Sequence, residues 1–244
     1  MRASRWWAAL VLMAWACSPS MGQTSAKPAA AGQGLPVTAS SSAGEVLLQG
    51  QAADWSQALV RKVALNRTPP LYDTDEPAGE EIPVVEVRTV RAGGKLYAQL
   101  SWRDSTHDAA SLPAVPDSPP EKRFLKVPTE AEDRFFDAAA VMLPTKGAAS
   151  LNPSLQMGDA DHPVQIFYWN AARGAMLMEA QGRGTTKRTG QSFPTNGAYE
   201  DGKWMVTFEI PDRPAGSPIA FAIWNGNQQD RDGRKYFSVW YTLE

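Results

Sequence analysis

From residue 45 to the C-terminus, short runs of apolar and β-branched side chains alternate with Gly, Pro, Asn and Asp, the spacing of a strand-rich domain. Ile82–Val90 (IPVVEVRTV) leads through Arg91-Ala92-Gly93-Gly94 into Lys95–Trp102 (KLYAQLSW). Two β-rich runs around a glycine pair predict a hairpin. A second turn, Asp201-Gly202, precedes Lys203–Ile210, where Trp204, Val206, Phe208 and Ile210 share one face. Asp137–Leu143, Val164–Trp169, Ala175–Ala180, Ile219–Trp224 and Lys235–Thr242 read as further strands. Helical periodicity is weak, and Asp54–Leu65, with Asp54 as N-cap, is the one segment where a short helix is expected. Pro-rich stretches at 67–83 and 111–129 read as excursions from the sheets, and no internal repeat is visible. The pattern predicts one all-β domain over residues 45–244: an antiparallel β-sandwich with long loop excursions and few short helices.

The first residues are patterned differently. Arg2 and Arg5 precede an apolar run from Trp6 to Ala16, with small and polar residues immediately after. That is the layout of a secretory signal peptide over residues 1–16, too short in its apolar core for a stable membrane span. Ala14-Trp15-Ala16 fits a small-x-small cleavage site and leaves Cys17 as the new N-terminus, where a bacterial lipoprotein carries its lipid. Ala14 stands where such boxes usually carry Leu, and a cut near Gly22 would discard the cysteine. Both readings place the protein in the periplasm. Residues 17–44 hold few large apolar side chains and read as a flexible spacer.

Composition narrows the chemistry. One cysteine excludes an intramolecular disulfide, a cysteine-ligated iron–sulfur cluster and a C-x-x-C-H haem attachment. Two histidines, His107 and His162, cannot build a three-histidine zinc site. With 24 basic against 26 acidic side chains, no polybasic field argues for nucleic acid. No G-x-S-x-G, P-loop or Rossmann pattern appears, so no catalytic residues are assigned. His107, beside Asp104 and Asp108, reads as part of a solvated loop. Gly158–Pro163 lacks the ligand count and spacing of an EF-hand.

Three segments are more specific: Trp102-Arg103-Asp104-Ser105-Thr106; Leu155–Asp159 running on to Trp169; and Ala220–Gly226 with Asp230–Lys235 and Ser238-Val239-Trp240. Together they resemble the haem-b subunit of the ethylbenzene dehydrogenase family. That family includes the γ subunits of exported type II molybdenum enzymes of the dimethyl-sulfoxide-reductase superfamily, among them dimethyl-sulfide dehydrogenase, selenate reductase and chlorate reductase. The resemblance covers most of residues 45–244 and implies a β-sandwich holding one non-covalent haem b between a Met and a Lys. Its partners would be an iron–sulfur β subunit, a molybdenum α subunit and a soluble carrier such as cytochrome c.

Carried over by position, the axial pair is Met157 and Lys235. A thioether is a soft neutral donor that raises a haem potential, and a lysine ligates only as the free amine. Met142, within the Asp137–Leu143 run, is the rival methionine, and His162 is a rival that would make a Met/His site. Arg234 is excluded as a donor because its guanidinium stays protonated. Arg231 and Arg234 are candidates to pair with haem propionates. Trp102, Trp169, Trp204, Trp224 and Trp240 can wall a haem pocket, fill the core, or stack on sugars. Hence there are two alternatives: a secreted carbohydrate-binding sandwich module without haem, and a freestanding haem-b protein of the same fold.

Overall fold

The computed structural model describes residues 33–50, 53–69, 80–109, 135–145 and 153–244. The expected signal peptide, Cys17, the first part of the spacer and most of both Pro-rich stretches lie outside the described residues. Among those described, the chain runs through β1 (Gly34–Leu35), β2 (Val37–Ala39), helices α1 (Gly44–Leu48) and α2 (Ala53–Gln57), β3 (Arg61–Ala64), β4 (Asn66–Arg67), β5 (Val84–Ala92) and β6 (Lys95–Arg103). It continues through β7 (Ala138–Pro144), β8 (Val164–Asn170), β9 (Gly174–Ala180), β10 (Lys187–Arg188), β11 (Thr195–Glu200), β12 (Lys203–Pro211), β13 (Pro218–Trp224), β14 (Tyr236–Phe237) and β15 (Tyr241–Leu243). No described helix is long and apolar enough to cross a membrane.

Glycine placement sets two hairpins. Ala92 pairs with Lys95 across Gly93-Gly94, whose φ values of 56° and 72° suit the two-residue turn that follows strand twist. Glu200 pairs with Lys203 across Asp201-Gly202, at φ 50° and 71°. One sheet therefore has the order β11-β12-β6-β5, with β2 and β3 both paired to the free edge of β5. The other runs β1-β15-β13-β7-β8-β9-β10, with β14 also on β13 and β4 beyond it. Pairing is antiparallel except for two short parallel additions, β1 on β15 and β2 on β5. The all-β sandwich expectation holds.

Alternation fills the space between the sheets. Trp204, Val206, Phe208 and Ile210 of β12 are buried there with Val85, Val87, Leu96 and Leu100. They face Val141, Phe167, Ile219 and Phe221 from the second sheet. Each such side chain contributes about 1.5–3 kcal/mol of burial. Outside the first sheet, α1 and α2 lay Leu47 and Trp55 over Val90, Ala92 and Tyr97.

Three expectations change. Asp54–Leu65 is not one helix: α2 ends at Gln57, and Arg61–Ala64 pairs with β5, burying Val63 and Leu65 on a two-residue period. Asp54 lies within the helix, and the Ser42 hydroxyl bonded to its carboxylate holds its pKa below the usual value. The folded domain also begins before residue 45, because edge strands β5 and β15 offer unpaired backbone groups that residues 34–39 satisfy. Lys235–Thr242 is split, because the Ser238 hydroxyl accepts from the Phe221 amide and interrupts the ladder between β14 and β15.

At one end of the sandwich the sheets are tied by buried carboxylates. Asp137, fully buried, accepts from the Asp108 amide (2.8 Å), the Trp204 indole (2.9 Å) and the Gly226 amide (3.0 Å). Asp104 is also buried, with Thr106 donating to one oxygen and no partner for the other. Burial and the Asp137 charge push the Asp104 carboxyl up to about 7. Three donors favour charge on Asp137, so the proton resides on Asp104. The folded-state value lies above the unfolded one. The resulting stability is therefore fully present below about pH 4 and is lost as pH rises through 7. Asp104→Asn should flatten this decline and stabilise the protein by about 1–2 kcal/mol at pH 8 relative to wild type. Urea unfolding from pH 5 to 8 checks this; parallel profiles for the two proteins would refute it.

Candidate functional site

The second sheet has a patterned outer face. The strand period that sends Val141, Phe167 and Phe221 inward sends Ala138, Ala140 and Met142 of β7, Val164, Ile166 and Tyr168 of β8, and Ala220, Ala222 and Trp224 of β13 outward. Four alanines make its centre a shallow apolar floor. Met157, Leu155, Met178 and Trp240 pack onto the same cluster.

Met157 reaches this face from the loop between β7 and β8. Trp240, swung outward by the break between β14 and β15, donates its indole N–H to the Pro153 carbonyl at 2.7 Å and anchors the loop's start. The Gly158 amide closes a turn onto the Ser154 carbonyl (2.8 Å), and the Gly182 amide donates to the Met157 carbonyl (2.9 Å). Met157 itself has φ 73°, a left-handed conformation that an unbranched side chain rarely adopts and that costs about 1–2 kcal/mol. Gly158 follows at φ 74°, and a Cβ there would stand 2.6 Å from the His162 carbonyl. The Met-Gly pair is thus a local geometry that only glycine in second place permits. It sets the Met157 side chain on the alanine floor.

Lys235 arrives just before β14. Its carbonyl accepts from both the amide and the hydroxyl of Thr68, each at 2.9 Å. The preceding loop is braced by Asp230, whose carboxylate meets Arg67 at 2.7 Å and the Asn225 amide at 3.1 Å. The Lys235 ammonium lies 5.5 Å from the centre of the Trp224 ring and 3.4 Å from the Asp232 carbonyl, which also accepts from the Trp224 indole. Burial, then repulsion from Arg183, lower the Lys235 pKa against the pull of Asp232. That shift is in the direction of the free amine that a metal-ligating lysine requires.

The other sequence candidates separate. Met142 lies on the same outer face, opposite Ala220 and Ile166 in the ladders. His162 closes a tight turn, its ring nitrogen 2.8 Å from Asp159 and its amide bonded to the same carboxylate oxygen. His107 lies beyond the acidic cluster, stacked 4.6 Å over Tyr199. Arg234 turns to the buried Asp230 at 3.5 Å, and Arg231 lies 5.2 Å over the Phe135 ring. Trp102, Trp169 and Trp204 fill the space between the sheets, with Trp169 and Trp204 edge to face at 5.0 Å. Trp224 and Trp240 belong to the outer face. All five are at most 7% exposed, so none offers the open platform a sugar ring requires. Among the described residues, no group of three or more His, Cys, Asp or Glu is placed to hold a metal ion.

The sequence reading missed Arg183. It stands between Gly182 and Gly184 in a turn bonded to the Met157 carbonyl, close enough to Lys235 to act on its charge.

Fold and site together define a β-sandwich protein with a methionine and a half-buried lysine beside one apolar sheet face. The sequence profile of the ethylbenzene dehydrogenase family matches residues 52–194, and the chain belongs to that family. Among its relatives is a protein of Haloferax mediterranei named as a respiratory nitrate reductase heme subunit, 33% identical over 66% of this chain. The chain spans 55% of that relative's length. The chlorate reductase subunit gamma of Ideonella dechloratans is 27% identical over 79% of this chain and 77% of its own. The dimethylsulfide dehydrogenase subunit gamma of Rhodovulum sulfidophilum is 26% identical over 76% and 70%. A family 9 carbohydrate binding module from Caldicellulosiruptor kristjanssonii superposes over 85% of each chain with a TM-score of 0.38 and 9% identity, too loosely to suggest a ligand.

Proposed function

We propose that the chain is a non-catalytic haem-b subunit that carries electrons for a molybdenum oxidoreductase, and that Met157 and Lys235 would be the residues that hold the haem iron. The observation that carries this reading is the delivery of both side chains, by separately clamped loops, to the same alanine-floored face. The fit rests on the donor chemistry: a neutral thioether and an amine whose pKa burial lowers, both beside an apolar face. Haem supplies one-electron chemistry when bound. The chain's residues hold and orient it: Trp240 and Gly182 fix the Met157 loop, and Thr68 and Asp230 fix the backbone that presents Lys235.

In this reading the partners are an iron–sulfur subunit and a molybdenum subunit, with a soluble cytochrome c or similar carrier on the other side. The relatives' names as gamma and heme subunits support that assignment. The segment at 1–16 would export the protein to the periplasm, and Cys17 would tether it by lipid. A visible spectrum tests the core of the proposal. The full chain, expressed with its export segment and purified gently, should show the Soret and α bands of a reduced low-spin b-type haem. A colourless protein would overturn the reading. Co-purification of molybdenum and iron–sulfur subunits would support the complex, whereas a haem-loaded monomer alone would favour the freestanding form.

A further inference from the structure

Arg183 lies on the crest of the turn between β9 and β10, flanked by Gly182 at φ 120° and Gly184 at φ 79°. The turn is tightly held. The Gln181 amide donates to the Thr185 hydroxyl at 2.8 Å, that hydroxyl donates to the Gly182 carbonyl at 2.7 Å, and the Gly182 amide is bonded to Met157. The turn that carries Arg183 is thereby tied by backbone to one candidate ligand.

The Arg183 guanidinium carries no hydrogen bond or ion pair with any described residue, whereas Arg234 has Asp230 and Arg231 has the Phe135 ring. Asp232 is exposed, and it is its carbonyl rather than its carboxylate that Lys235 meets. The local charge is therefore complementary to a ligand that is flat and apolar in its body and carboxylated at its edge.

We propose that Arg183 holds a haem propionate, so that the cofactor's own carboxylate pairs with a guanidinium that no described residue engages. The inference rests on the haem reading above. It replaces the expectation that Arg231 and Arg234 fill that role. A guanidinium–carboxylate pair is charge-assisted and directional, and its loss weakens binding about 10-fold or more.

The test is haem dissociation from the full-length protein into excess apomyoglobin, with the midpoint potential measured alongside. Arg183→Gln should release haem about 10-fold faster and lower the potential, since a positive charge near the iron is removed. Arg183→Lys should fall between it and wild type. Arg103→Gln, on the outer face of the other sheet, should match wild type. The decisive arm uses haem-stripped protein refilled with protohaem dimethyl ester, which has no carboxylates. Wild type and Arg183→Gln should then lose the ring at the same rate. Equal rates with ordinary haem, or a difference that persists with the ester, would overturn the proposal. If wild type binds neither form of haem, it is the haem reading that fails instead.

Discussion

Lys235→Ala should abolish the low-spin spectrum and speed haem loss on the order of 100-fold, the upper range for disturbing a metal site. The physical basis is that the amine is the stronger of the two donors and has no evident substitute. The neighbouring Arg234 is turned to Asp230 and cannot shed its proton. Lys235→Arg is the sharper variant. It keeps a long basic side chain over Trp224 but has no lone pair to donate, so it should behave as the alanine variant does. Met157→Ala should also lose the low-spin bands and, where haem is retained, lower the midpoint potential, because a thioether favours the reduced iron. Met142→Ala should leave the spectrum intact and cost only packing on the outer face. Absorption and potentiometry on the four proteins check the assignment. A normal spectrum in Lys235→Arg, or loss in Met142→Ala with retention in Met157→Ala, would show that the ligands are wrongly placed.

What the sequence made legible is what local chemistry dictates. The Gly93-Gly94 hairpin and the inward face of β12 were readable because a two-residue turn and a two-residue period leave their marks in consecutive residues. A short helix does start in the Asp54–Leu65 segment, but strand β3 at its end went unread because Arg61–Ala64 is held in strand form by pairing to β5. Residues 34–39 were misread as spacer for the same reason, since their stability comes from the edges they complete. At the site, Met157 and Lys235 were named from a family resemblance. Periodicity alone would not have singled out either, because Met157 stands outside the strands as that pattern was read and Lys235 is only the first residue of one. A signal for the floor was present in Ala138, Ala140, Ala220 and Ala222, small residues on alternate positions of two strands. Without the pairing of β7 with β13, nothing indicated that they share a face. The left-handed backbone of Met157 and the position of Arg183 are products of tertiary hydrogen bonds and leave no mark in composition.

The acidic end of the sandwich yields the largest expected effect on stability, and it concerns a residue that sequence reading treated only as the start of a strand. Asp137→Ala should destabilise the fold by about 3–5 kcal/mol, because three buried donors lose their only acceptor at once and each costs about 1–3 kcal/mol. The loss is not local. Trp204 belongs to β12 in the first sheet, while Gly226 follows β13 in the second, so the carboxylate spans the two layers. Asp137→Asn tests whether the acceptor count or the volume matters. Its amide keeps the shape but must present N–H groups either to the Gly226 amide or to the Trp204 and Asp108 donors. It should therefore lose about half as much as the alanine variant, whereas Asp104→Asn, whose free oxygen has no donor to offend, should not lose stability at pH 8. The melting temperature should fall by about 10 °C for Asp137→Ala, at the few degrees per kcal/mol expected for a domain of this size. Equilibrium urea unfolding of the three variants at one pH measures the differences. A loss below about 1 kcal/mol for Asp137→Ala would mean that the two sheets are held by the apolar core alone.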